Sequence, residues 1–545
     1  MHSPRTLWHW LTLAALALLL LFLLYPLFNV LVGSLGRGSE PSGWTLVASN
    51  PKYGHAVMNS MVLGVVVTAL ATALGVPMAY VAARHDFPGQ GIVAILPLLT
   101  LVVPEVIAAQ TWLMVVGNNG LVTRALADLG LALPSFYGWL GLITVMTFTY
   151  YTYVYIGTLA AIRGFDHQLE EAAQSLGTSP AMSRWKVMVP VVLPAVLATA
   201  LLVFTLVVGN FAVATILSGK LPLLSVLTYQ ATVSEVGSDP TLQSTLATIS
   251  VVIVMLVLFV QRWIVSRGRR EVMQGRSARA TPLRGWRGLW LGATAATVVL
   301  LSLLPVLTLA AGAFTQARGP VMRWGEWTTA HLERAFNRSD PILNTLLYAS
   351  VATLVGIVLS VLISYLVVKK RNRLTPVLDY LSALPLALSG TVIGIGLVLS
   401  FNTGWLQLTG TAAIIVLAYV VRRLPFGTRN ASSTLFNIPD SIEEASISLG
   451  VPPLASFFKV VLPLMVPAIV AAAVLTWTTT VAELSASIIV YSGGRETMPI
   501  QIFRLIDSGL MAQASAYGLL LMAVILLPIV GATWVFKIDL FASRS

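Results

Sequence analysis

Glu170-Glu171-Ala172-Ala173-Gln174-Ser175-Leu176-Gly177 recurs as Glu443-Glu444-Ala445-Ser446-Ile447-Ser448-Leu449-Gly450, 273 positions later (443 against 170). The register holds beyond the octapeptide: Pro180 matches Pro453, Lys186 matches Lys459, Pro190 matches Pro463 and Pro194 matches Pro467. Chance is a poor explanation for one polar segment appearing twice in a chain that is 57% hydrophobic and only 10% charged. That composition belongs to a polytopic membrane protein. The repeated segment is then a contact made twice outside the bilayer.

Crossing a bilayer takes roughly 20 apolar residues per helix. The chain offers about a dozen such stretches, near 7–33, 56–83, 91–116, 136–162, 187–218, 243–266, 287–313, 342–368, 376–401, 409–430, 460–491 and 513–536. They are too long for the strands of an outer-membrane barrel, so the chain reads as an all-α polytopic membrane protein with about 12 transmembrane helices. The first stretch, Leu7 to Gly33, exceeds a secretory h-region and lacks a small-residue cleavage site, and reads as a retained signal anchor. The absence of cysteine excludes disulfides and thiolate metal sites.

A net charge of +12 raises nucleic acid as a partner, but the basic residues are not spread evenly. With a cytoplasmic N-terminus, most of them fall in inside loops, densest from Arg262 to Arg287 and from Lys369 to Arg373. This is the positive-inside pattern, and it places both termini in the cytoplasm. Anionic lipid headgroups of the bilayer account for the basicity, and no nucleic acid is required.

Residues 267–286, an Arg-rich cytoplasmic linker holding Gly268, Gly275, Pro282 and Gly285, separate a first half, 1–266, from a second, 287–545. Asn59-Ser60 matches Asn344-Thr345, and Ala79-Tyr80 matches Ser364-Tyr365, at an offset of 285 (344 against 59). Each half has an even number of spans, so the halves insert with the same orientation. They form two parallel six-helix repeats about an axis near the membrane normal, with the pathway between them. Two outer loops, 34–55 and 314–341, share Trp44-Thr45 and Trp327-Thr328 and carry most of the exported charge. They are either solvated loops with interfacial tryptophans or a landing surface for an extracytoplasmic partner.

Within the repeated segment, Gly177 and Gly450 can take positive φ and end a helix. Pro180 and Pro453 suit the first turn of the next helix. The small residues Ala172, Ala173, Ala445 and Ser446 leave room for another protein, and the Glu pairs give the contact charge. Pro190, Pro194, Pro463 and Pro467 are placed to shape the bend into the following span. Ordinary amphipathic interfacial helices are the plainer reading.

These residues resemble the signature of the permease subunits of binding-protein-dependent ATP-binding-cassette (ABC) importers: Glu-Ala-Ala, three residues, Gly, nine residues, then aliphatic, any, aliphatic, Pro. Glu171, Ala172, Ala173, Gly177, Val187, Val189 and Pro190 meet it. So do Glu444, Ala445, Ser446, Gly450, Val460, Leu462 and Pro463, with Ser446 in place of the second Ala. The resemblance spans both halves. It implies the fold of a type I ABC importer permease in the cell inner membrane. Each loop would be a coupling helix seated on a separate ATPase subunit, with Glu170, Glu171, Ala172, Ala173, Gly177, Pro190, Glu443, Glu444, Ala445, Ser446, Gly450 and Pro463 as the ATPase-coupling residues. The implied partners are two ATPase subunits and one extracytoplasmic solute-binding protein. No Gly-x4-Gly-Lys-Ser/Thr phosphate cradle occurs in the chain. It is therefore not expected to be an enzyme: ATP is used by the partner ATPase and no cofactor is bound here.

Fused two-half permeases of this length resemble those for ferric iron, thiamine, polyamines and 2-aminoethylphosphonate. The tract Glu483-Leu484-Ser485-Ala486-Ser487-Ile488 with Tyr491-Ser492-Gly493-Gly494 is most similar to the ferric type. A carboxylate inside an apolar span is a functional candidate, which selects Glu105 and Glu483 as pathway residues. Asn210 joins them as the repeat counterpart of Glu483. The counterpart of Glu105 is Ile393 when Pro97 is aligned with Pro385, so the pathway is not chemically symmetric.

Ferric iron is a hard cation that favours carboxylate and phenolate oxygen. Tyr150, Tyr151, Tyr153 and Tyr155 supply phenols if they face inward, and otherwise anchor or pack helices. Each Glu either lines the pathway or fixes helix packing through a salt bridge or hydrogen bond. The sequence specifies no metal ligand set. It also underdetermines the cargo, since in such importers selection often lies in the binding protein and passage only requires weak binding. A secondary transporter would lack the twin docking loops. A membrane enzyme would need a clustered catalytic set, and His2, His9, His55, His85, His167 and His331 are scattered.

Overall fold

The computed structural model describes residues 4–36, 42–87, 90, 97, 100–233, 239–268, 281–282 and 285–536. Its helices come in two matching series. A leading helix, Pro4–Leu19, continues through a π-turn into Tyr25–Ser34. The first half then runs through Pro51–Arg84, Glu105–Val116, Trp139–Arg163, Gln168–Ser175 and Val189–Val208 to Leu224–Val233 and Pro240–Gly268. A second leading helix, Trp286–Phe314, precedes Asp340–Val368, Gly390–Phe401, Ala412–Asn437, Asp440–Ser448, Leu462–Val481, Met498–Asp507 and Met511–Phe536. The two series correspond element for element.

Among the described residues eight helices are long and apolar enough to cross a membrane, and a bent pair adds a ninth. Trp139–Arg163 and Ala412–Asn437, at 25 and 26 residues, also have the length to cross. Their lower apolarity reflects where they face: Tyr150, Tyr151, Tyr155 and Tyr419 on these two helices are buried in protein. The remaining predicted span, 91–116, lies outside the described residues at 91–96 and 98–99. The same holds for the linker at 269–280 and 283–284, and for the C-terminal residues 537–545.

Three predicted spans are not continuous. The stretch 376–401 bends by 113° between Thr375–Ala387 and Gly390–Phe401. There Pro385 withholds a backbone donor, and Ser389 caps the second helix by accepting from the Val392 amide. The stretches 187–218 and 460–491 stop at Val208 and Val481 and resume as the short helices Ala212–Leu217 and Ser487–Val490. At each break one side chain accepts from the amide three residues on: Val213 N to Asn210 Oδ1 at 2.9 Å, and Ala486 N to Glu483 Oε1 at 3.1 Å. Irregular backbone at membrane depth is tolerated only where it is buried in protein or lines a cavity, so these breaks mark the interior. Hydropathy misses them because only two to five residues carry each turn.

The all-helical expectation has two local exceptions among the described residues: a short parallel pairing of His85–Asp86 with Thr281–Pro282, and a hairpin in the loop 314–341. Thr315–Arg318 pairs antiparallel with Val321–Trp327, ahead of the helix Ala330–Asn337. The corresponding loop of the first half forms the short helix Gly43–Ser49. The leading helices also cross over. Asn29 donates to Ser400 Oγ at 2.8 Å, and the rings of Phe22 and Tyr25 lie against Phe401, all across the two halves. Ser302, on the second leading helix, donates to the Tyr151 hydroxyl of the first half at 3.0 Å. Lipid is as apolar as leucine, so close packing and interhelical hydrogen bonds of this kind hold the helices together.

Candidate functional site

Each repeated helix, Gln168–Ser175 and Asp440–Ser448, hangs from the end of the second span of its own half, and the first glutamate of each pair makes the attachment. Glu170 is only 3% exposed; its Oε1 lies 2.8 Å from Arg84 Nη2, and its Oε2 lies 2.9 Å from His167 Nδ1. Glu443, 5% exposed, accepts from the Tyr365 hydroxyl and from Lys370 Nζ, both at 2.7 Å. Beside it Lys369 hydrogen-bonds Asp440 and holds that carboxyl below the usual range. The second glutamates, Glu171 and Glu444, face outward, as do Ala172 and Ala445, while Ala173 and Ser446 are half-buried.

Gly177 and Gly450 end their helices at φ 89° and 87°, a conformation that costs a residue with a Cβ. The leucine before each glycine is almost wholly exposed, Leu176 at 87% and Leu449 at 86%. Downstream, the turns Arg184–Met188 and Phe457–Val461 are π-helical, again 273 positions apart (457 against 184). Pro190 and Pro463 account for the widening. A proline ring clashes with the carbonyl four residues back, here that of Lys186 or Lys459, and the wider turn relieves the clash. The prolines therefore shape the helix without breaking it, and Pro180–Val208 and Pro453–Val481 run on as continuous spans.

Deeper in the molecule the three pathway candidates fall into two groups. In the first half, Glu105 accepts from the Tyr150 hydroxyl at 2.6 Å and from Asn210 Nδ2 at 2.7 Å, and Asn210 also donates to the Tyr150 oxygen at 2.7 Å. In the second half, Glu483 Oε2 lies 2.9 Å from Arg422 Nε and 2.7 Å from Arg423 Nη2. The repeat offset that pairs Asn210 with Glu483 also pairs Tyr150 with Arg423. The two groups adjoin, since Arg422 and Glu483 act electrostatically on Glu105. Helix Glu105–Val116 corresponds to Gly390–Phe401, so the counterpart of Glu105 is Gly390, not Ile393. The offset of 285 that matches Asn59 with Asn344 carries through to this pair. A Cβ on Gly390 would sit 1.7 Å from Arg422 Nη1; one half places a carboxylate where the other makes room for a guanidinium.

Of the other tyrosines, Tyr151 pairs with Ser302 and Tyr155 is fully buried, so they pack helices and do not anchor them at an interface. Among the described residues no three His, Asp or Glu side chains are placed to hold a metal ion. Sequence reasoning overlooked Arg422 and Arg423, although two consecutive arginines inside a predicted span carry the same signal as the intramembrane carboxylates. It also passed over Leu176 and Leu449, which lie within the repeated octapeptide itself.

Comparison with known proteins adds an independent line. The family described as binding-protein-dependent transport system inner membrane component matches residues 71–270 and 342–538. Over 520 residues, 91% of this chain and 90% of the relative, the sequence is 28% identical to "Probable ABC transporter permease protein y4fN" of Sinorhizobium fredii. Over 548 residues, 96% of this chain and 77% of the relative, it is 25% identical to the ferric transport system permease protein FbpB of Actinobacillus pleuropneumoniae. A stretch of 144 residues, 26% of this chain and 54% of the relative, is 35% identical to "Putative 2-aminoethylphosphonate transport system permease protein PhnV" of Salmonella typhimurium. Matched in both halves and over most of its length, the chain belongs to the family of inner membrane components of binding-protein-dependent transport systems, the permeases of ABC importers.

Proposed function

We propose that this chain forms both halves of the pathway of an ATP-driven importer that receives ferric iron from an extracytoplasmic binding protein and releases it into the cytoplasm. The observation that carries the reading is the pair of docking helices. Each turns its first glutamate inward onto its own half and its second glutamate and a leucine outward at the same repeat position. The same leucine left almost wholly exposed at the same place in both repeats suits a protein contact. Two such surfaces suit two ATPase subunits, with one binding protein on the opposite face and both termini in the cytoplasm. ATP is bound and hydrolysed on the partners, and this chain binds no cofactor. Movement of the ATPases enters at Glu171, Glu444 and the neighbouring small residues, and passes to the spans through Glu170 with Arg84 and Glu443 with Lys370.

In this reading Glu105, Asn210 and Glu483 line the pathway where the halves meet. Iron as cargo is favoured by similarity to a ferric permease along 96% of the chain and by the hard oxygen donors of Glu105, Tyr150 and Glu483. A second cargo, 2-aminoethylphosphonate, is favoured by Arg422 and Arg423, whose planar donors suit a phosphonate.

Proteoliposomes holding this chain, its ATPase and its binding protein should take up ferric iron in the presence of ATP, with aminoethylphosphonate, thiamine and polyamine as competitors. Uptake without the ATPase would sink the importer reading. Uptake of phosphonate without iron would move the cargo to the second reading.

A further inference from the structure

We propose that Trp8 is a positioning residue for the second docking helix, and that the leading helices are crossed braces that make the two docking helices move as one body. The proposal rests on the docking role given above.

Trp8 lies on Pro4–Leu19 of the first half, is 8% exposed, and packs its ring 5.1 Å from that of Tyr365 in the second half. Lys370 Nζ sits 5.8 Å from the Trp8 ring centroid and 5.5 Å from that of Tyr365, a geometry in which an aromatic face attracts an ammonium. Tyr365 and Lys370 are the two side chains that hold Glu443. One helical turn beyond Trp8, Thr12 Oγ1 accepts from Asn372 Nδ2 at 2.9 Å, in the loop that follows Asp340–Val368. Both groups that fix the buried glutamate of the second docking helix are thus fixed in turn by a helix from the other half. Tyr365 also packs on Phe457, 4.5 Å away in the π-turn beyond the docking helix, so its ring touches aromatic rings of both halves.

The first docking helix is tied across the halves by other means. Arg84 holds Glu170. The residues after it, His85–Asp86, pair in parallel with Thr281–Pro282 of the connecting segment, and Phe87 packs with Ala295 of the second leading helix. Each docking helix is therefore attached through its anchor to the leading segment of the opposite half. A push on either one displaces an element outside its own half, a condition for the halves to respond together. Trp8 and Thr12 act through Tyr365, Lys370 and Asn372 and touch neither cargo nor ATPase in this scheme.

The test uses the complete transporter in proteoliposomes, and its readout is cargo taken up per ATP hydrolysed. Trp8→Ala and Thr12→Val should each lower that ratio by about threefold or more, within the range that substitutions along packed coupling networks produce. The ATPase should still co-purify. Trp8→Phe, which keeps a ring on Tyr365, should retain the wild-type ratio. A merely structural role would reduce the amount of assembled transporter and leave the ratio per ATP unchanged.

Should Trp8→Ala fail to insert, Trp8→Leu, which keeps the apolar burial, takes its place beside Thr12→Val. Wild-type ratios in Thr12→Val and in the inserted Trp8 variant overturn the brace. Leu176→Asp combined with Leu449→Asp separates the two readings, since it should release the ATPase. Retention of the ATPase in that variant would remove the docking role itself and not only the brace.

Discussion

Glu483→Gln removes the carboxylate that contacts both Arg422 and Arg423, at 2.9 and 2.7 Å. The change keeps the side-chain shape and leaves Oε1 as acceptor for the Ala486 amide, while the oxygen facing both guanidiniums becomes an NH2 donor, so the charge and both of its contacts are lost. Removing one partner of a buried ion pair costs about 3–5 kcal/mol. Two features reduce that here: the arginine side chains are 23% and 15% exposed, and Glu105 lies within electrostatic reach. The expected destabilisation is about 2–3 kcal/mol.

Arg423→Met should cost less, about 1 kcal/mol, because Glu483 keeps Arg422 and the Ala486 amide. The double variant leaves one guanidinium without its carboxylate instead of two, so its loss should fall short of the sum of the singles by about 1–2 kcal/mol. Thermal unfolding in lipid nanodiscs, followed by tryptophan fluorescence, reads all three differences. A Glu483→Gln protein as stable as the wild type, or a strictly additive double variant, would refute the assignment of Glu483 as the group that neutralises this pair.

The two glutamates of the first docking segment should separate cleanly. Glu170→Gln should lose about 2 kcal/mol of stability, and Glu171→Gln should stay within about 0.5 kcal/mol of wild type; equal losses in unfolding experiments would contradict the inward and outward roles. Gly177→Pro and Glu171→Arg should lower transport-coupled ATPase activity while membrane insertion is kept, and wild-type coupling in both would remove the docking role. His85 is held below its ordinary pKa by burial first and then by Arg184 and Arg84. The folded form therefore binds fewer protons, and the associated stability is full above about pH 6.5 and lost as pH falls through the lowered value. Hydrogen exchange at 85–86, corrected for intrinsic rates, should quicken on acidification, and His85→Gln should flatten that dependence.

The repeat was legible because it lies in polar residues against an apolar background, and the turn at Gly177 and Gly450 because αL backbone has few tenants. The breaks after Val208 and Val481 were not, since 209–211 and 482–486 interrupt long apolar runs with only Asn210 in the first and Glu483 and Ser485 in the second as polar side chains. Glu483 was selected for its charge, and its task of capping a short helix appears only in three dimensions. The inward turn of Glu170 was equally hidden. Nothing in Glu170-Glu171 distinguishes the two until Arg84, 86 positions upstream, is seen beside one of them. The hairpin 315–327 follows an apolar helix in a loop, where alternation too short to read by eye is decided by pairing.

Asn210 and Glu483 answer one backbone requirement, an acceptor for the amide three residues on, and either side chain meets it. The fold therefore constrains hydrogen bonding at this position and leaves charge free. Tyr150 donates to Glu105 and accepts from Asn210, whereas Arg423 at the matching position brings a full positive charge to Glu483. At full ionisation the first half contributes one carboxylate, Glu105, and the second contributes two guanidiniums and one carboxylate. In that state the first group has one net negative charge and the second one net positive charge, within electrostatic reach of each other. Parting the halves separates these charges, and closing them brings the charges back together. At full ionisation the asymmetry of the interior gives the repeated fold an attraction between its halves, which under the proposed importer reading the docking helices would have to overcome to open the pathway.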